Sequence, residues 1–146
     1  MANYQHILIA IDFSDHHLQV CNKAQELAQL HQAKLSICHI VENYIVSDFA
    51  YEAVNSVTLD MQDQLLDSAQ KRIHALVNTF ATPTQNQWVE FGSPRYDIVR
   101  LAEVHDVDLI VVGSHGRHGL QLLLGSTANA VLHHAKCDVL AIRLDE

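Results

Sequence analysis

The residues of this chain best suited to hold an anion lie between positions 113 and 127, in the sequence GSHGRHGLQLLLGST. Glycine permits φ > 0 and lets backbone N–H groups approach a ligand closely, and the first turn of a helix presents N–H groups that no backbone carbonyl accepts. A glycine loop that leads into a helix N-terminus can therefore bind phosphate. From these glycines alone, the alternative is a simple turn followed by a helix that Ser126 caps.

The flanking sequence places this segment between a strand and a helix. Residues 107–112, VDLIVV, form a β-branched run that predicts a strand buried on both faces, with Gly113 at its end. After the loop, apolar residues of the segment 126–136 recur at helical spacing. Gly125, Ser126 and Thr127 therefore fall at the start of a helix.

A carboxylate follows another apolar strand. Residues 6–11, HILIAI, predict a buried first strand, and Asp12 comes directly after it. In that position Asp12 could accept hydrogen bonds from ribose hydroxyls or help hold Mg²⁺ near phosphates, or it could cap the next helix together with Ser14. Ile40, near the end of the second strand, could contact a base or simply pack in the core.

The apolar pattern along the whole chain predicts alternating strands and helices in a single domain, residues 1–146. Strands are predicted at 6–11, 34–41, 87–91, 107–112 and 138–144, and helices at 14–31, from 59 to about 80, from Pro94 onward and at 126–136, with a long connection at 42–58. This order is typical of an α/β fold with a parallel, doubly wound sheet and helices on both faces. With the strand order 3-2-1-4-5, the winding reverses between strands one and four, so Asp12 would face the glycine loop.

Composition excludes several classes of function. The net charge is −8, and the nine basic residues are scattered, which argues against a nucleic-acid-binding surface. Three cysteines without a CxxC pair do not form a secreted disulfide framework. No apolar run approaches the ~20 residues that span a membrane, and the N-terminus lacks the features of a signal peptide. We expect a cytoplasmic protein with no nucleic-acid or membrane partner.

Motifs of common enzymes are missing from the sequence. It contains neither Gly-x4-Gly-Lys-Ser/Thr nor Gly-x-Ser-x-Gly, and its adjacent histidine pairs, at 16–17 and 133–134, are not spaced to share a metal ion. We therefore predict no metal site and no catalytic residue. In the glycine loop, His115, Arg117 and His118 could contact phosphate or be solvated, and Arg117 is the best candidate because it is always charged.

The whole chain resembles the universal stress protein family. The resemblance is carried by ILIAIDFS near the start, by a strand that ends in CHIV, and by the closing segment GSHGRHGLQLLLGSTANAVLHHAKCDVLAIR. Nucleotide-binding members of that family have a Gly-x2-Gly-x9-Gly-Ser/Thr motif, whereas Gly116 and Gly125 here enclose eight residues. Because the missing residue lies between the two ends of the loop, we expect a changed loop shape and nucleotide preference rather than a loss of binding.

The resemblance implies a site and a ligand. Asp12 corresponds to a ribose-contacting aspartate, Ala10 and Ile11 to main chain beside the base, and Ile40 to the apolar residue against adenine. The residues that correspond to the phosphate-binding loop are Gly113, Gly116, Gly125, Ser126 and Thr127. The implied ligand is ATP or AMP, with Mg²⁺ as an optional companion of ATP.

The apolar edge strand at 138–144 suggests a homodimer, as is common in the family, although the chain's own tail could shield that edge instead. The leading hypothesis is a stress-response protein in which a bound adenine nucleotide sets a conformation or a partner preference. A slow ATPase or phosphotransfer enzyme and a dimeric interaction module that uses no nucleotide are the alternatives.

Overall fold

A computed structural model of the chain describes residues 3–14, 16–42, 55–114 and 124–143, apart from the side chains of residues 55–58. Strands and helices alternate along these ranges. The strands are β1 (His6–Ala10), β2 (Lys34–Glu42), β3 (Asn86–Gly92), β4 (Leu109–Gly113) and β5 (Asp138–Ile142), and the helices are α1 (His17–His31), α2 (Asn55–Val77), α3 (Pro94–Val104) and α4 (Ser126–His134). The strand ends lie within about two residues of those predicted, which is the usual uncertainty of element boundaries.

The strands form one sheet in the order β3-β2-β1-β4-β5, and every neighbouring pair is parallel. This confirms the predicted doubly wound sheet with strand order 3-2-1-4-5. The parallel arrangement follows from the helix between each pair of consecutive strands, which returns the chain to the same edge of the sheet.

Helices cover both faces of the sheet, so β1 is buried along its whole length. Ile7 and Ile9 pack with α1 and α2 on one face, whereas Leu8 and Ala10 pack with α3 and α4 on the other. Successive side chains of a strand point to opposite faces, so a strand between two helical layers must be apolar at every position. Residues 7–10, ILIA, meet this requirement, and the buried ring of His6 is hydrogen-bonded to Ser36 and His105 instead.

The first helix begins later than the sequence predicts, and the prediction that Ser14 is its N-cap is wrong. The helix begins at His17, and the capping position is His16 in a left-handed conformation (φ 68°). The side chain of Asp12 accepts the N–H of Ser14, which closes a tight turn and delays the helix. Leu18, expected on the buried face, is 52% exposed.

The second helix begins at Asn55, inside the segment predicted as a connection, and buries less of its apolar face than its periodicity predicts. Ala69, Ile73 and Leu76 are buried, whereas Met61 and Leu65 are 43% exposed. The packing of α2 against the described sheet and helices thus begins near Ala69. Residues 43–54 of the predicted connection lie outside the described residues.

The third helix matches its prediction closely. Ser93 is the N-cap, Pro94 is the first helical residue, and Ile98, Leu101 and Ala102 are buried as expected. The fourth helix ends at His134 because Ala135 is extended, and Leu132, predicted to be buried, is 43% exposed. Through the ranges that the structure describes, none of the helices combines the length and apolar character needed to cross a bilayer.

Candidate functional site

A crevice opens where β1 and β4 part. The two strands are paired from Ile7 and Leu109 to Ile9 and Val111. Beyond that point each strand bonds to its other neighbour: the N–H of Ile11 donates to the Cys38 carbonyl of β2 at 3.2 Å, and Gly113 pairs with β5. A point where strand pairing diverges at the carboxyl edge of a doubly wound sheet is where such folds bind ligands.

The N-terminus of α4 is attached to the end of β4 at this crevice. The N–H of Gly125 donates to the carbonyl of Ser114 at 2.6 Å, and the N–H of Asn129 donates to the carbonyl of Gly125 at 2.9 Å. The N–H groups of Ser126, Thr127 and Ala128 therefore belong to the first turn, which has no intrahelical acceptors. A helix N-terminus of this kind attracts anions.

Gly125 itself is the N-cap of α4, so the capping residue contributes no side-chain hydrogen bond to the helix start. The alternative in which Ser126 caps the helix is therefore wrong. The backbone of Gly125 is extended (φ −63°, ψ 156°), a conformation open to any residue. This glycine is thus not required by a left-handed backbone, and its small size is what it offers at the helix start.

Asp12 lies on the opposite wall of the crevice, directly after β1. Its side chain is exposed, and its Oδ1 accepts the N–H of Ser14 at 2.9 Å. The alternative in which Asp12 caps α1 is wrong, because the helix begins only at His17. Continuing the register of β1 and β4 would set Ile11 opposite Gly113 and Asp12 opposite Ser114.

The predicted base-contacting residues are largely part of the core. Ala10, Ile11 and Ile40 are 6%, 8% and 4% exposed, and Ile40 packs with Ala10 on the α3 and α4 face. The core-packing alternative for Ile40 is therefore confirmed, although packing does not exclude contact at its exposed margin. Both backbone groups of Ile11 are hydrogen-bonded. Its N–H donates to the carbonyl of Cys38, and its carbonyl accepts the ring Nδ1–H of His39 at 2.8 Å.

A ring cluster that the sequence did not reveal lies beside Asp12. The ring of Phe13 contacts the side chains of His17, His39 and Arg72. Phe13 also packs against the core cluster that contains Ile9. One signal was available, because His39 is a polar residue near the carboxyl end of an otherwise apolar strand, ICHIV. Nothing in the local sequence marks Arg72, which reaches the cluster from α2.

The remaining predicted contacts fall outside the described residues. Gly116 and Arg117 are among these, as are His115 and His118. Within the described ranges, no three residues of the metal-binding types are arranged to hold an ion.

Three comparisons agree with this architecture. The profile described as "Universal stress protein family" matches residues 3–143. Universal stress protein A homolog 2 of Coxiella burnetii is 44% identical over 147 residues, covering 99% of this chain and 98% of the relative.

Two solved structures are also similar. The universal stress protein UspA from Lactobacillus plantarum has a TM-score of 0.79 at 30% identity, covering 98% of this chain and 100% of that one. A universal stress protein in complex with cAMP has a TM-score of 0.61 at 27% identity, covering 97% and 98%. With its fold and nearly its whole length matched, this chain belongs to the universal stress protein family.

Proposed function

We propose that this protein binds an adenine nucleotide, ATP or AMP, in the crevice between β1 and β4, and that the nucleotide sets a conformation or partner preference during stress. The observation that carries the proposal is the attachment of the α4 N-terminus to the end of β4, the strand that parts from β1 just before Asp12. The solved relative in complex with cAMP supports an adenine nucleotide as the ligand class.

The phosphates are assigned to the side of the crevice formed by β4 and α4. Gly113 ends β4, and the N–H groups of Ser126 and Thr127 lie in the first turn of α4. A helix N-terminus contributes up to ~2 kcal/mol toward an anion, whereas micromolar affinity requires ~8 kcal/mol. Gly116 and Arg117 are proposed as further phosphate contacts, and the base and ribose must supply much of the remainder.

The ribose and the base are assigned to the side formed by β1 and β2. Asp12 is exposed and ionisable, so its carboxylate suits the ribose hydroxyls. The main chain of Ala10 and Ile11 and the margin of Ile40 are proposed to border adenine. The Ile11 carbonyl has a second lone pair beyond the one His39 uses, so it can still accept a hydrogen bond.

Mg²⁺ would bind together with ATP rather than at a site formed by protein ligands alone. Asp12 is the carboxylate placed to contribute an oxygen ligand, and Mg²⁺ commonly combines one or two carboxylates with substrate phosphates and water. We propose this role for the ATP complex alone.

We also propose a homodimer through β5, the prediction made for residues 138–144. In the described sheet β5 is an edge strand, and Val139, Leu140, Ala141 and Ile142 are each half-buried. Pairing with a second copy would cover these side chains and complete the backbone hydrogen bonds of the edge. The cytoplasm is the proposed location, in keeping with the free thiols of Cys21, Cys38 and Cys137.

Thermal unfolding with ATP, AMP and GTP, each with and without Mg²⁺, tests the proposed function. At a ligand concentration of about 100 times Kd the stabilisation is ~2.7 kcal/mol, or roughly 5 to 10 °C in Tm for a chain of this size. Adenine nucleotides should raise Tm more than GTP does. If no nucleotide raises Tm, the binding proposal is wrong and the nucleotide-free interaction module is favoured.

A further inference from the structure

The chain makes an unusual turn at Phe13, directly after Asp12. Phe13 has a φ of 59°, in the left-handed region that residues with a bulky side chain seldom adopt. A conformation of this kind persists only where the surrounding structure holds it, and such positions concentrate at functional sites. The contacts of Phe13 therefore indicate what holds the turn.

Three elements hold the ring of Phe13. The guanidinium carbon of Arg72, on α2, lies 3.9 Å from the ring centroid. The His39 ring, on β2, meets it edge to face with centroids 4.8 Å apart, and the His17 ring, on α1, does so at 5.5 Å. Edge-to-face pairs and cations over an aromatic face are both favourable arrangements. The ring is thus fixed by parts of the chain outside its own loop.

His39 contacts both residues that flank Asp12 in the sequence. Besides meeting the Phe13 ring, its Nδ1–H donates to the carbonyl of Ile11 at 2.8 Å. A carbonyl only accepts hydrogen bonds, so this geometry assigns the proton to Nδ1. One imidazole therefore restrains the residue before Asp12 and the residue after it.

The carboxylate of Asp12 depends on these neighbours for its placement. Its side chain is exposed, and its hydrogen bond to the N–H of Ser14 stays within the same turn. That bond fixes the carboxylate relative to the turn, and the restraint of Ile11 and Phe13 fixes the turn relative to the sheet.

We propose that His39 and Phe13 are positioning residues that hold Asp12 at the mouth of the crevice. The inference rests on the proposed function, in which Asp12 contacts the ribose. His39 and Phe13 act through Asp12 and are not assigned a contact with the nucleotide.

Conservative and disruptive variants separate the hydrogen bond of His39 to Ile11 from its contact with the Phe13 ring. His39→Asn keeps an N–H donor close to the position of Nδ1, whereas His39→Leu keeps apolar bulk and removes the donor. Phe13→Leu removes the ring contacts. His133→Leu is the matched control, because His133 makes the same type of bond, from Nδ1 to the carbonyl of Asn129 at 2.9 Å, on an exposed face of α4.

The first measurement needs no ligand. Amide hydrogen exchange at Ser14, followed by NMR, reports the bond to Asp12. His39→Leu and Phe13→Leu should each raise the Ser14 exchange rate by about tenfold, while His39→Asn and His133→Leu leave it near the wild-type rate. The amide of Ile9, in the centre of β1, should be unaffected in all four. Unchanged Ser14 exchange in both disruptive variants would overturn the inference.

The second measurement compares the affinities for AMP and for its 2′,3′-dideoxy analogue. His39→Leu should weaken AMP by about tenfold more than it weakens the dideoxy analogue, and Asp12→Ala should show the same difference, because the lost contact is with the ribose hydroxyls. Equal losses for both ligands would assign His39 a general structural role and overturn the inference. If the wild type binds neither ligand while the exchange rates change as expected, the proposed function is wrong and the positioning of the Asp12 turn stands.

Discussion

Gly92 and Asp97 share a space too small for a second side chain. A Cβ added to Gly92 would lie 2.1 Å from Oδ2 of Asp97, which also accepts the N–H of Ser93 at 2.8 Å. The other carboxylate oxygen accepts the Nε–H of Arg100 at 3.1 Å. Asp97 is therefore held in place from two sides and can occupy this position only because residue 92 is glycine.

We accordingly expect Gly92→Ala to destabilise the fold by about 1–3 kcal/mol, the usual cost of forcing atoms into a packed site. Urea unfolding measures the change. In the double variant Gly92→Ala/Asp97→Ala the collision is absent, so its loss should be smaller than the sum of the two single losses. Additive losses would mean that the two residues do not compete for this space.

The stability of the protein should fall in acid partly because of His6. This side chain is buried, its Nε2 lies 2.7 Å from the Ser36 hydroxyl, and its Nδ1 lies 3.2 Å from the His105 carbonyl. Burial lowers the pKa of His6, and the bond to the His105 carbonyl only partly opposes that effect. The neutral ring donates through Nδ1 and accepts from Ser36 through Nε2, so a proton on Nε2 would break the second bond.

The direction of this pH dependence follows from the linkage between protonation of His6 and folding. Above pH ~6.5, His6 is neutral in both the folded and the unfolded chain, and its contribution is fully present. Below that pH the unfolded chain takes up a proton that the folded chain resists, so the free energy of unfolding falls, by up to ~1.4 kcal/mol per unit of pKa difference. Urea unfolding between pH 8 and pH 5 measures the loss. His6→Gln should show a shallower loss, and equal slopes for the two proteins would exclude His6 as a source.

Replacing Gly125 by valine should remove nucleotide binding and leave the fold intact. The backbone of Gly125 is extended, which valine accepts readily, so the fold should persist, with a loss of about 1 kcal/mol because valine is a poorer N-cap than glycine. Its side chain would instead crowd the first turn of α4, where phosphate is proposed to bind, and affinity should fall by at least about tenfold, or ~1.4 kcal/mol. Titration calorimetry with AMP and ATP measures the effect.

Leu132→Val is a suitable control for that experiment, because Leu132 is exposed on the same helix away from its first turn. An unchanged affinity in Gly125→Val would mean that the glycine segment is only a turn.

If the protein dimerises through β5, a charge added to that strand should disrupt the dimer. Ala141→Glu would place like charges close together when two copies of this strand pair, so the variant should be monomeric at concentrations where the wild type is a dimer. Sedimentation equilibrium measures the molecular mass of both. Leu132→Glu adds the same charge to an exposed position of α4 and should remain dimeric. A wild type that is monomeric at all concentrations would refute the dimer.

The sheet could be predicted from the sequence because a buried parallel strand has one simple requirement, apolar side chains. A strand between two helical layers is expected to be apolar along most of its length, and residues 7–10 satisfy that condition in the sequence alone. The position of the crevice followed from strand order alone. Apolar spacing, by contrast, shows which face of a helix can be buried but not where its neighbours end, so Leu18, Leu65 and Leu132 were wrongly expected to be buried.

The details around Asp12 were less predictable because they depend on contacts between distant residues. The bond from Ser14 to Asp12 competes with helix capping, and the sequence permits either. The left-handed backbone of Phe13 is stabilised by His39 and Arg72, which lie 26 and 59 positions further along the chain. Local sequence propensity cannot predict a backbone conformation that depends on contacts with residues so far away in the chain.

The backbone of Ser114 links the start of α4 to the edge strand β5. Its N–H donates to the carbonyl of Ile142 on β5 at 2.8 Å, and its carbonyl accepts the N–H of Gly125 at the start of α4 at 2.6 Å. A single residue therefore joins the proposed phosphate site to the outer strand of the sheet. The first turn of α4 thus lies only two hydrogen bonds and one amino acid away from β5, the strand proposed to pair with a second copy.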